Sequence, residues 1–287
     1  MLYRSYDPEV LKHVQQTELE ILGDFIDLCE RHGIDYFGTG GTAIGAIRHQ
    51  GFIPWDDDID VGLLREDYDR FLALAKVELA DKYEVLNVEE DANYPLPTTR
   101  LVKKGTVFRE EALKNCRCNF GIFLDLYFFD NVPDDDKLMR KQGRWAWFWG
   151  KLLILRHVGN PTLYFGGWKA AVVRVCCRIG HFCLWLFRIS PRWLYRKAMK
   201  HSQKYRNVKT KRAAFFFDPT PYTSVIVKDE VFPTKKMPFD GLDMRFPGKI
   251  EVYLKNRFGD YMTLPPEDKR HNHPPYQLDF GDGSQGI

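Results

Sequence analysis

Residues 51–62 read Gly-Phe-Ile-Pro-Trp-Asp-Asp-Asp-Ile-Asp-Val-Gly, and this stretch says most about the fold of the 287-residue chain. In its second half, acidic and apolar residues alternate. The two-residue period of a strand puts Asp58 and Asp60 on one face, while Ile59 and Val61 point into a core on the other. Carboxylates so close together repel strongly away from bulk water, and a divalent cation relieves that repulsion. The stretch therefore predicts a strand that carries a metal site.

The ligand types indicate which metal this site would bind. Oxygen ligands with no Cys or His nearby favour Mg²⁺, Mn²⁺ or Ca²⁺ over Zn²⁺. A calcium loop of the EF-hand type is one alternative, because Asp56, Asp58 and Asp60 occupy its first, third and fifth positions. That loop needs Gly at position six and Glu at position twelve, where this chain has Val61 and Asp67. A solvated acidic turn is the other alternative, and the apolar residues within the stretch argue against it.

A glycine-rich turn precedes the acidic stretch. Residues 34–37 read as a short strand, residues 38–42 as a Gly-Thr-Gly-Gly-Thr turn, and residues 43–49 as an apolar helix. Glycines between a strand and a helix N-terminus let backbone amides approach a phosphate, and the helix dipole favours an anion there. Such turns are often only tight connections, and neither the Walker pattern nor G-x-G-x-x-G is present. Followed by a strand with two carboxylates, this turn predicts a site for metal-bound phosphate.

A third carboxylate lies in a different strand. Residues 121–129 form a buried-strand pattern with a single acid, Asp125, in the middle. An acid in such a run is paired with a cation or ligates a metal, because burying an isolated charge is costly. Metal binding is the favoured hypothesis. The alternative is an ion pair with an arginine, either Arg100 or Arg48.

These motifs, in this order, resemble those of the LicD family of nucleotidyltransferase-fold enzymes. The family includes bacterial phosphocholine transferases and, more distantly, the fukutin-related transferases. The twelve-residue run around Trp55 is the most specific part of the resemblance, which extends over nearly the whole chain. The matching runs lie at residues 36–49, 51–62, 65–71 and 121–127, and in a C-terminal stretch within residues 239–266.

The resemblance implies roles for individual residues. Asp58 and Asp60 would be the paired metal ligands, and Asp125 the third carboxylate of the catalytic and metal site. The implied cofactor is Mg²⁺ or Mn²⁺. The residues implied to bind the phosphates or other parts of the donor are Gly40, Gly41, Thr42 and Arg48.

The resemblance also implies a reaction. This is the divalent-metal-dependent transfer of a phosphoalkyl group, phosphocholine first among them, from a CDP-activated donor. The acceptor would be a sugar hydroxyl of a surface glycan, such as lipopolysaccharide or teichoic acid, or of its lipid-linked precursor. Two alternatives stay open: nucleotidyl transfer from an NTP, and a catalytically silent relative that binds glycan or lipid. The presence of all three carboxylates weighs against the silent relative.

The composition narrows the class of protein. A formal net charge of +3 gives no reason to expect a nucleic-acid partner. The polar first helix, with Asp7 as N-cap and Gly33 after its end, follows no signal peptide. We therefore expect a cytoplasmic protein, peripheral on the inner face of the membrane if it contacts the membrane at all.

The six cysteines are scattered singly or as close pairs. This is not the pattern of a secreted disulfide framework, and it predicts reduced thiols. A four-thiolate zinc site is the alternative, although the spacing is not that of a known zinc knuckle. Its ligands would be Cys116, Cys118, Cys176 and Cys177.

The chain is predicted to be an α/β protein. Its core would be a nucleotidyltransferase-like mixed sheet flanked by helices, with a helical insertion. Residues 1–133 form the predicted catalytic core, which includes strands at 83–88 and 99–103. Residues 134–212 form a basic and apolar helical insertion, and residues 213–287 form a C-terminal segment that returns to the active site.

Residues 168–189 are strongly apolar yet contain several basic residues. Arg174 and Arg178 near the centre of this segment argue against a membrane span. Together with His181 they recur at i, i+4 and i+7, a basic stripe that is typical of an interfacial helix. The hypotheses are a helix that packs on the catalytic core with one wet face, which is slightly favoured, and peripheral contact with a membrane.

Overall fold

The computed structural model describes residues 6–161, 166–266, 270 and 274–284. Its first helix, α1 (Pro8–His32), begins and ends as predicted. The Asp7 carboxylate accepts a hydrogen bond from the backbone N–H of Glu9 at 2.9 Å, which caps the helix. Gly33 ends it at φ +58°, a left-handed conformation that favours glycine.

The other helices alternate with strands along the described residues. The helices are α2 (Gly40–His49), α3 (Arg65–Glu78), α4 (Asp136–His157), α5 (Gly167–Leu186), α6 (Pro191–Ser202), α7 (Lys228–Val231) and α8 (Ile250–Phe258). The strands are β1 (Phe37–Gly38), β2 (Asp60–Leu64), β3 (Tyr83–Leu86), β4 (Thr99–Lys103), β5 (Val107–Arg109), β6 (Phe123–Val132), β7 (Arg212–Phe215), β8 (Ser224–Val227), β9 (Lys235–Phe239), β10 (Leu242–Phe246) and β11 (Gln277–Asp279).

A seven-stranded mixed sheet forms the centre of the molecule. Its order is β1-β2-β6-β4-β3, and β7 pairs with both β6 and β8. Strands β2 and β6 run parallel, whereas the other neighbours in this sheet are antiparallel. Helices α1 and α3 pack against β6. The mixed sheet flanked by helices confirms the predicted fold class.

Two of the strands near the glycine turn are shorter than the sequence pattern predicted. Instead of residues 34–37, β1 contains only Phe37 and Gly38, because the N–H of Ile34 is still bonded to the carbonyl of Cys29 at the end of α1. Strand β2 begins at Asp60, so Asp58 precedes the strand. The two acids therefore belong to the same extended segment, but only Asp60 is in the sheet ladder.

Helices α4, α5 and α6 lie between β6 and β7, and α4 packs against both of the others. The prediction that residues 168–189 form a core helix is wrong, because Ala170 is the only buried residue that the structure describes on α5. Its long apolar side chains are more than half exposed instead. They are Trp168, Val172, Val175, Ile179, Phe182, Trp185 and Leu186. Within the described parts of the chain, no single helix is long and apolar enough to cross a membrane. Helices α5 and α6 taken together meet the same test of length and composition, with a bend of 110° between them.

The C-terminal part of the chain packs around the two site motifs. The backbone N–H of Phe52 donates to the Asp240 carboxylate at 2.8 Å, and the N–H of Asp240 donates to the Gln50 carbonyl at 2.8 Å. Strand β11 pairs with β5, and the β9–β10 hairpin lies beside β1. Hydrogen bonds thus join the sequence run at residues 51–62 directly to the C-terminal run near residue 240.

A buried ion pair joins α3 to the far half of β6. Arg65 Nε and Nη2 donate to the two carboxylate oxygens of Asp130 at 2.7 and 2.9 Å. Asp130 is fully buried and also accepts from the hydroxyl of Ser202 on α6. The Arg65 guanidinium lies 3.9 Å from the centroid of the Phe128 ring. Arg65, the first residue of one of the matching sequence runs, therefore has a structural contact network away from the acids at the start of β2.

Replacing Arg65 tests the weight of this pair. Arg65→Gln leaves the Asp130 charge buried and uncompensated, so we expect the free energy of unfolding to fall by about 3–5 kcal/mol. Arg70→Gln is the matched control, because Arg70 lies on the same helix in an exposed pair with Asp67, and it should cost less than about 1 kcal/mol. Urea denaturation measures the free energy of unfolding of both variants. Equal losses would show that the buried pair stabilises the fold no more than the exposed pair does.

Candidate active site

The sheet register brings the acids of two sequence motifs together. In the parallel pairing of β2 with β6, Asp60 is the partner of Asp125. In the antiparallel pairing of β4 with β6, Arg100 is the partner of Asp125. Residues at paired positions on neighbouring strands point to the same face. Asp60, Asp125 and Arg100 therefore form a row across three adjacent strands.

Asp125 has the arginine partner that the sequence left open, and it is Arg100. Arg100 Nε lies 3.1 Å from Asp125 Oδ1, and its Nη2 lies 2.7 Å from Glu110 Oε1. The guanidinium also lies 3.7 Å from the centroid of the Phe123 ring. Burial raises the pKa of Asp125, against the opposing effect of Arg100. Because Arg100 is shared between two carboxylates, it compensates the Asp125 charge only in part.

Asp58 and Asp60 are repelled by neighbouring carboxylates, as the sequence predicted. Burial and the charges of Asp125 and Asp56 raise the pKa of Asp60 to about 8, against the opposing effects of Arg257 and a hydrogen bond from Tyr127. Burial, followed by the charges of Asp60 and Asp56, raises the pKa of Asp58 well above its ordinary value. Asp60 Oδ1 is buried and has no hydrogen-bond partner among the described residues. An added positive charge would relieve both acids.

The glycines form the first turn of α2, with Thr39 as the N-cap residue. Gly40 has φ +59°, and a Cβ atom built on it would lie 2.4 Å from Asp60 Oδ2. A Cβ on Gly41 would lie 2.7 Å from Asp56 Oδ2. The backbone at the positive end of the helix dipole thus directly contacts the carboxylates, which is where a phosphate bridged to a metal ion would bind.

Thr42 and Arg48 are placed differently from the two glycines. The Thr42 side chain is buried, and its hydroxyl accepts the backbone N–H of Asp60 at 2.8 Å, so it positions β2. Arg48 is in the last turn of α2, about 12 Å along the helix axis from Gly40 at 1.5 Å per residue. Its Nη1 donates to the carbonyl of Tyr261 at 3.1 Å. Arg48 is thus more than two helical turns from Gly40, and its contact with the donor stays a prediction.

The sequence interpretation missed a further acid near these carboxylates, Glu18 on α1. Glu18 is fully buried, and neither of its carboxylate oxygens has a hydrogen-bond partner in the described structure. Burial raises its pKa well above the ordinary value, and the charges of Asp58, Asp57, Asp56 and Asp125 add to this effect. The signal was present, because Glu18 interrupts the apolar face of α1 between Val14 and Leu22.

The metal-ligating atoms that this centre offers suit a hard divalent cation. Its side chains offer only carboxylate oxygens, and oxygens of Asp60 and Glu18 are buried without partners. Such groups are the ligands that Mg²⁺ and Mn²⁺ accept. As the side chains are placed, no three His, Cys, Asp or Glu groups in the described part of the chain are close enough together to hold a metal ion. This includes the four cysteines considered for zinc, and all six cysteines are free thiols.

A polar cavity of about 40 Å³ opens beside Asp60. It was not predicted from the sequence, since its lining comes from five separate parts of the chain. The lining residues are Thr39, Asp60, Tyr127, Phe129, Asp218, Ser224 and Arg257. Arg257 is on α8, which lies within the C-terminal stretch where the sequence already showed similarity to known motifs.

Comparison with known proteins places these features in a family. Residues 33–148 match the family model described as LicD/FKTN/FKRP, nucleotidyltransferase domain. The matched range contains the glycine turn and all three predicted carboxylates of the site.

Individual relatives agree with this match. The lipopolysaccharide cholinephosphotransferase LicD of Haemophilus influenzae is 28% identical over 275 residues, which cover 92% of this chain and 95% of that protein. The human ribitol 5-phosphate transferase FKRP is 37% identical over 60 residues, 21% of this chain and 11% of that protein. An uncharacterised protein of Rickettsia prowazekii is 44% identical over 48 residues, 17% of this chain and 18% of that protein.

The mixed sheet, the glycine turn and the matched domain together are those of a nucleotidyltransferase-like fold. Residues 33–148 match the LicD family model, and the chain is similar over most of its length to a LicD phosphotransferase.

Two glycines with the same backbone conformation test the contact between α2 and Asp60. Gly40 and Gly33 have φ values of +59° and +58°, but a Cβ on Gly33 meets nothing within 4 Å. Replacement by Ala should therefore cost about 1–2 kcal/mol of unfolding free energy for backbone strain at either position. Gly40→Ala also displaces the Asp60 carboxylate, so we expect it to lower phosphotransferase activity at least about tenfold.

Gly33→Ala should keep wild-type activity under the same conditions. Urea denaturation and initial-rate assays on the same two preparations make the comparison. Equal activity in the two variants would mean that the Asp60 carboxylate does not need its observed position.

Proposed function

We propose that this protein transfers a phosphoalkyl group, with phosphocholine as the first candidate, from a CDP-activated donor to a sugar hydroxyl of a surface glycan or its lipid-linked precursor. The observation that carries this proposal is the contact between the N-terminal turn of α2 and the Asp60 carboxylate, next to Asp125 on the parallel strand. Backbone amides suited to a phosphate and acids suited to a metal ion thus lie within one small region. The name of the Haemophilus influenzae relative, a cholinephosphotransferase, favours choline as the alkyl group.

The proposed metal ligands are Asp58, Asp60 and Asp125, with Glu18 as a further carboxylate of the same centre. When bound, Mg²⁺ or Mn²⁺ would neutralise the donor's phosphates and stabilise the departing CMP. The amides of Gly40 and Gly41 would hold phosphate oxygens at the positive end of α2. Arg100 orients Asp125 through its ion pair, and this fixes the carboxylate on the side of the site that faces Asp60.

The proposed reaction is a displacement at the phosphorus of the phosphoalkyl group. The acceptor's hydroxyl oxygen forms the new P–O bond, and the bond from that phosphorus to the oxygen shared with CMP breaks. The hydroxyl proton passes to a carboxylate of the centre, for which Asp125 is our candidate, and CMP leaves with the electron pair of the broken bond. Positioning and charge neutralisation contribute most of the acceleration in this class of reaction.

One incubation separates this reaction from its alternatives. The protein is supplied with Mn²⁺, purified lipopolysaccharide and, in separate samples, CDP-choline, CDP-ribitol, CDP-glycerol or CTP, and the nucleotide products are identified by mass. CMP together with a modified glycan supports phosphoalkyl transfer. Pyrophosphate released from CTP supports nucleotidyl transfer, and no product from any donor supports a silent binding protein.

Asp60→Asn tests the role of the carboxylate centre. The substitution removes a charge that its neighbours repel, so activity should fall at least about a hundredfold while the free energy of unfolding without metal stays the same or rises. Asp27→Asn is the matched control, because Asp27 is an exposed acid in a surface pair with Arg31, and it should change neither quantity. An Asp60→Asn protein that retains more than a tenth of wild-type activity would contradict the assignment.

We also propose that α5 binds an anionic membrane surface, where a lipid-linked acceptor would be presented. At 100° per residue, six exposed apolar side chains fall within an arc of about 80°, opposite the buried Ala170. They are Trp168, Val172, Val175, Ile179, Phe182 and Leu186. Arg174 and Arg178 are exposed along one border of this arc. The predicted third member of the basic stripe, His181, instead bonds the Leu155 carbonyl on α4 at 2.8 Å.

Neutralising the two exposed arginines tests this surface. Each basic residue near an anionic membrane contributes about 1 kcal/mol, so Arg174→Gln with Arg178→Gln should weaken binding to anionic liposomes about thirtyfold. The control replaces Arg31 and Arg70, which are exposed on α1 and α3, and should leave binding nearly unchanged. Sedimentation with liposomes measures both. Wild-type protein that stays in the supernatant and elutes as a dimer would instead make the apolar arc a contact between two copies.

A further inference from the structure

The cavity beside Asp60 contains a guanidinium that the proposed reaction has not yet used. Arg257 reaches it from α8, near the C-terminal end of the described chain. At about 40 Å³ the cavity is far smaller than the pockets that enclose whole ligands of drug size. It can hold one small group of a larger ligand.

Arg257 is held in place by hydroxyl groups. Its Nη1 donates to Thr39 Oγ1 and to the Tyr253 hydroxyl, both at 2.9 Å, and its Nη2 donates to Ser224 Oγ at 2.8 Å. Thr39 is the residue directly before the glycine turn, and Ser224 opens β8. The guanidinium is therefore fixed relative to both the helix N-terminus and the sheet.

The charge of Arg257 is not matched by an ion pair in the described structure. A guanidinium has five N–H donors, and the hydrogen bonds found for Arg257 use three of them, all on neutral hydroxyls. The Ser224 hydroxyl donates in turn to the Asp218 carboxylate, which also accepts from Thr223. Asp218 is thus engaged by hydroxyls. A half-buried cation with unused donors favours an anionic ligand, and a planar guanidinium suits phosphate oxygens.

We propose that Arg257 is a catalytic residue that binds oxygens of the donor's phosphoryl groups in this cavity. The phosphate chain would then lie between the carboxylate centre on one side and a fixed guanidinium on the other. This inference rests on the proposed phosphotransfer, but it does not depend on which alkyl group is transferred. The Arg257 cation also argues against choline as the occupant of this cavity, since a quaternary ammonium would be repelled.

Binding of inorganic pyrophosphate tests the proposal without the alkyl group. The full chain is titrated calorimetrically with pyrophosphate in the presence of Mg²⁺, and then in competition with CDP. We expect Arg257→Gln to weaken pyrophosphate binding at least tenfold, and Arg257→Lys to weaken it less because it keeps the charge. Arg245→Gln is the control, since Arg245 lies on β10 and pairs with Glu30 outside the cavity, and it should bind like the wild type.

The outcomes separate this subsite from the proposed function. Pyrophosphate binding that depends on Arg257 and is displaced by CDP supports the subsite, even if no CDP-linked donor is turned over. Undiminished binding in Arg257→Gln, no displacement by CDP, or no binding by the wild type would overturn it. If Arg257→Gln does not fold, the kcat of Arg257→Lys decides. We expect this kcat to fall at least tenfold, because lysine cannot make the two-pronged contact. An arginine with a purely structural role would leave kcat unchanged in a folded Lys variant.

Discussion

Repulsion among buried carboxylates is the constraint on which the rest of this structure depends. Asp60 and Asp125 are register partners on the parallel strands β2 and β6, Asp58 precedes the first of these strands, and Glu18 faces the same acids from α1. Buried carboxylates at this density are unfavourable unless positive charge is added. The protein itself supplies only part of that charge, because Arg100 is divided between Asp125 and Glu110. This excess of negative charge is the physical basis of the proposed cation site.

The packing around this centre keeps the acids in place despite their repulsion. The Thr42 hydroxyl and the N–H of Thr39 fix the backbone of Asp60 from the α2 side. Gly40 allows that helix to approach, because any larger residue would meet the Asp60 carboxylate. The Asp240 carboxylate fixes the other end of the acidic motif through the N–H of Phe52. Motifs that are nearly 190 residues apart in sequence thus together hold the acidic motif in position.

Sequence periodicity was sufficient to find several elements of the central sheet and to single out the three aspartates, but not to find their partners. Alternation of acidic and apolar residues located β2, and a single acid in an apolar run located Asp125, because both signals are local. Arg100 was named only as one of two candidates, since the choice depends on the register of β4 with β6. Glu18 had a local signal that was overlooked, whereas Arg257 had none, because its significance depends on contacts with Thr39 and Ser224 from distant parts of the chain.

The exposed face of α5 is a second feature that local sequence alone did not decide. The mixture of apolar and basic residues in this segment fits both a core helix, which was slightly favoured, and an interfacial helix, since both bury one face. The direction of that face decides between them, and it is set by tertiary contacts. His181 bonds to α4 and Ala170 is buried on the same side, so the apolar arc must point outward. An enzyme whose acceptor is attached to a lipid gains from such an arc, because a surface that holds the protein at the membrane also raises the local concentration of the acceptor near the carboxylate centre.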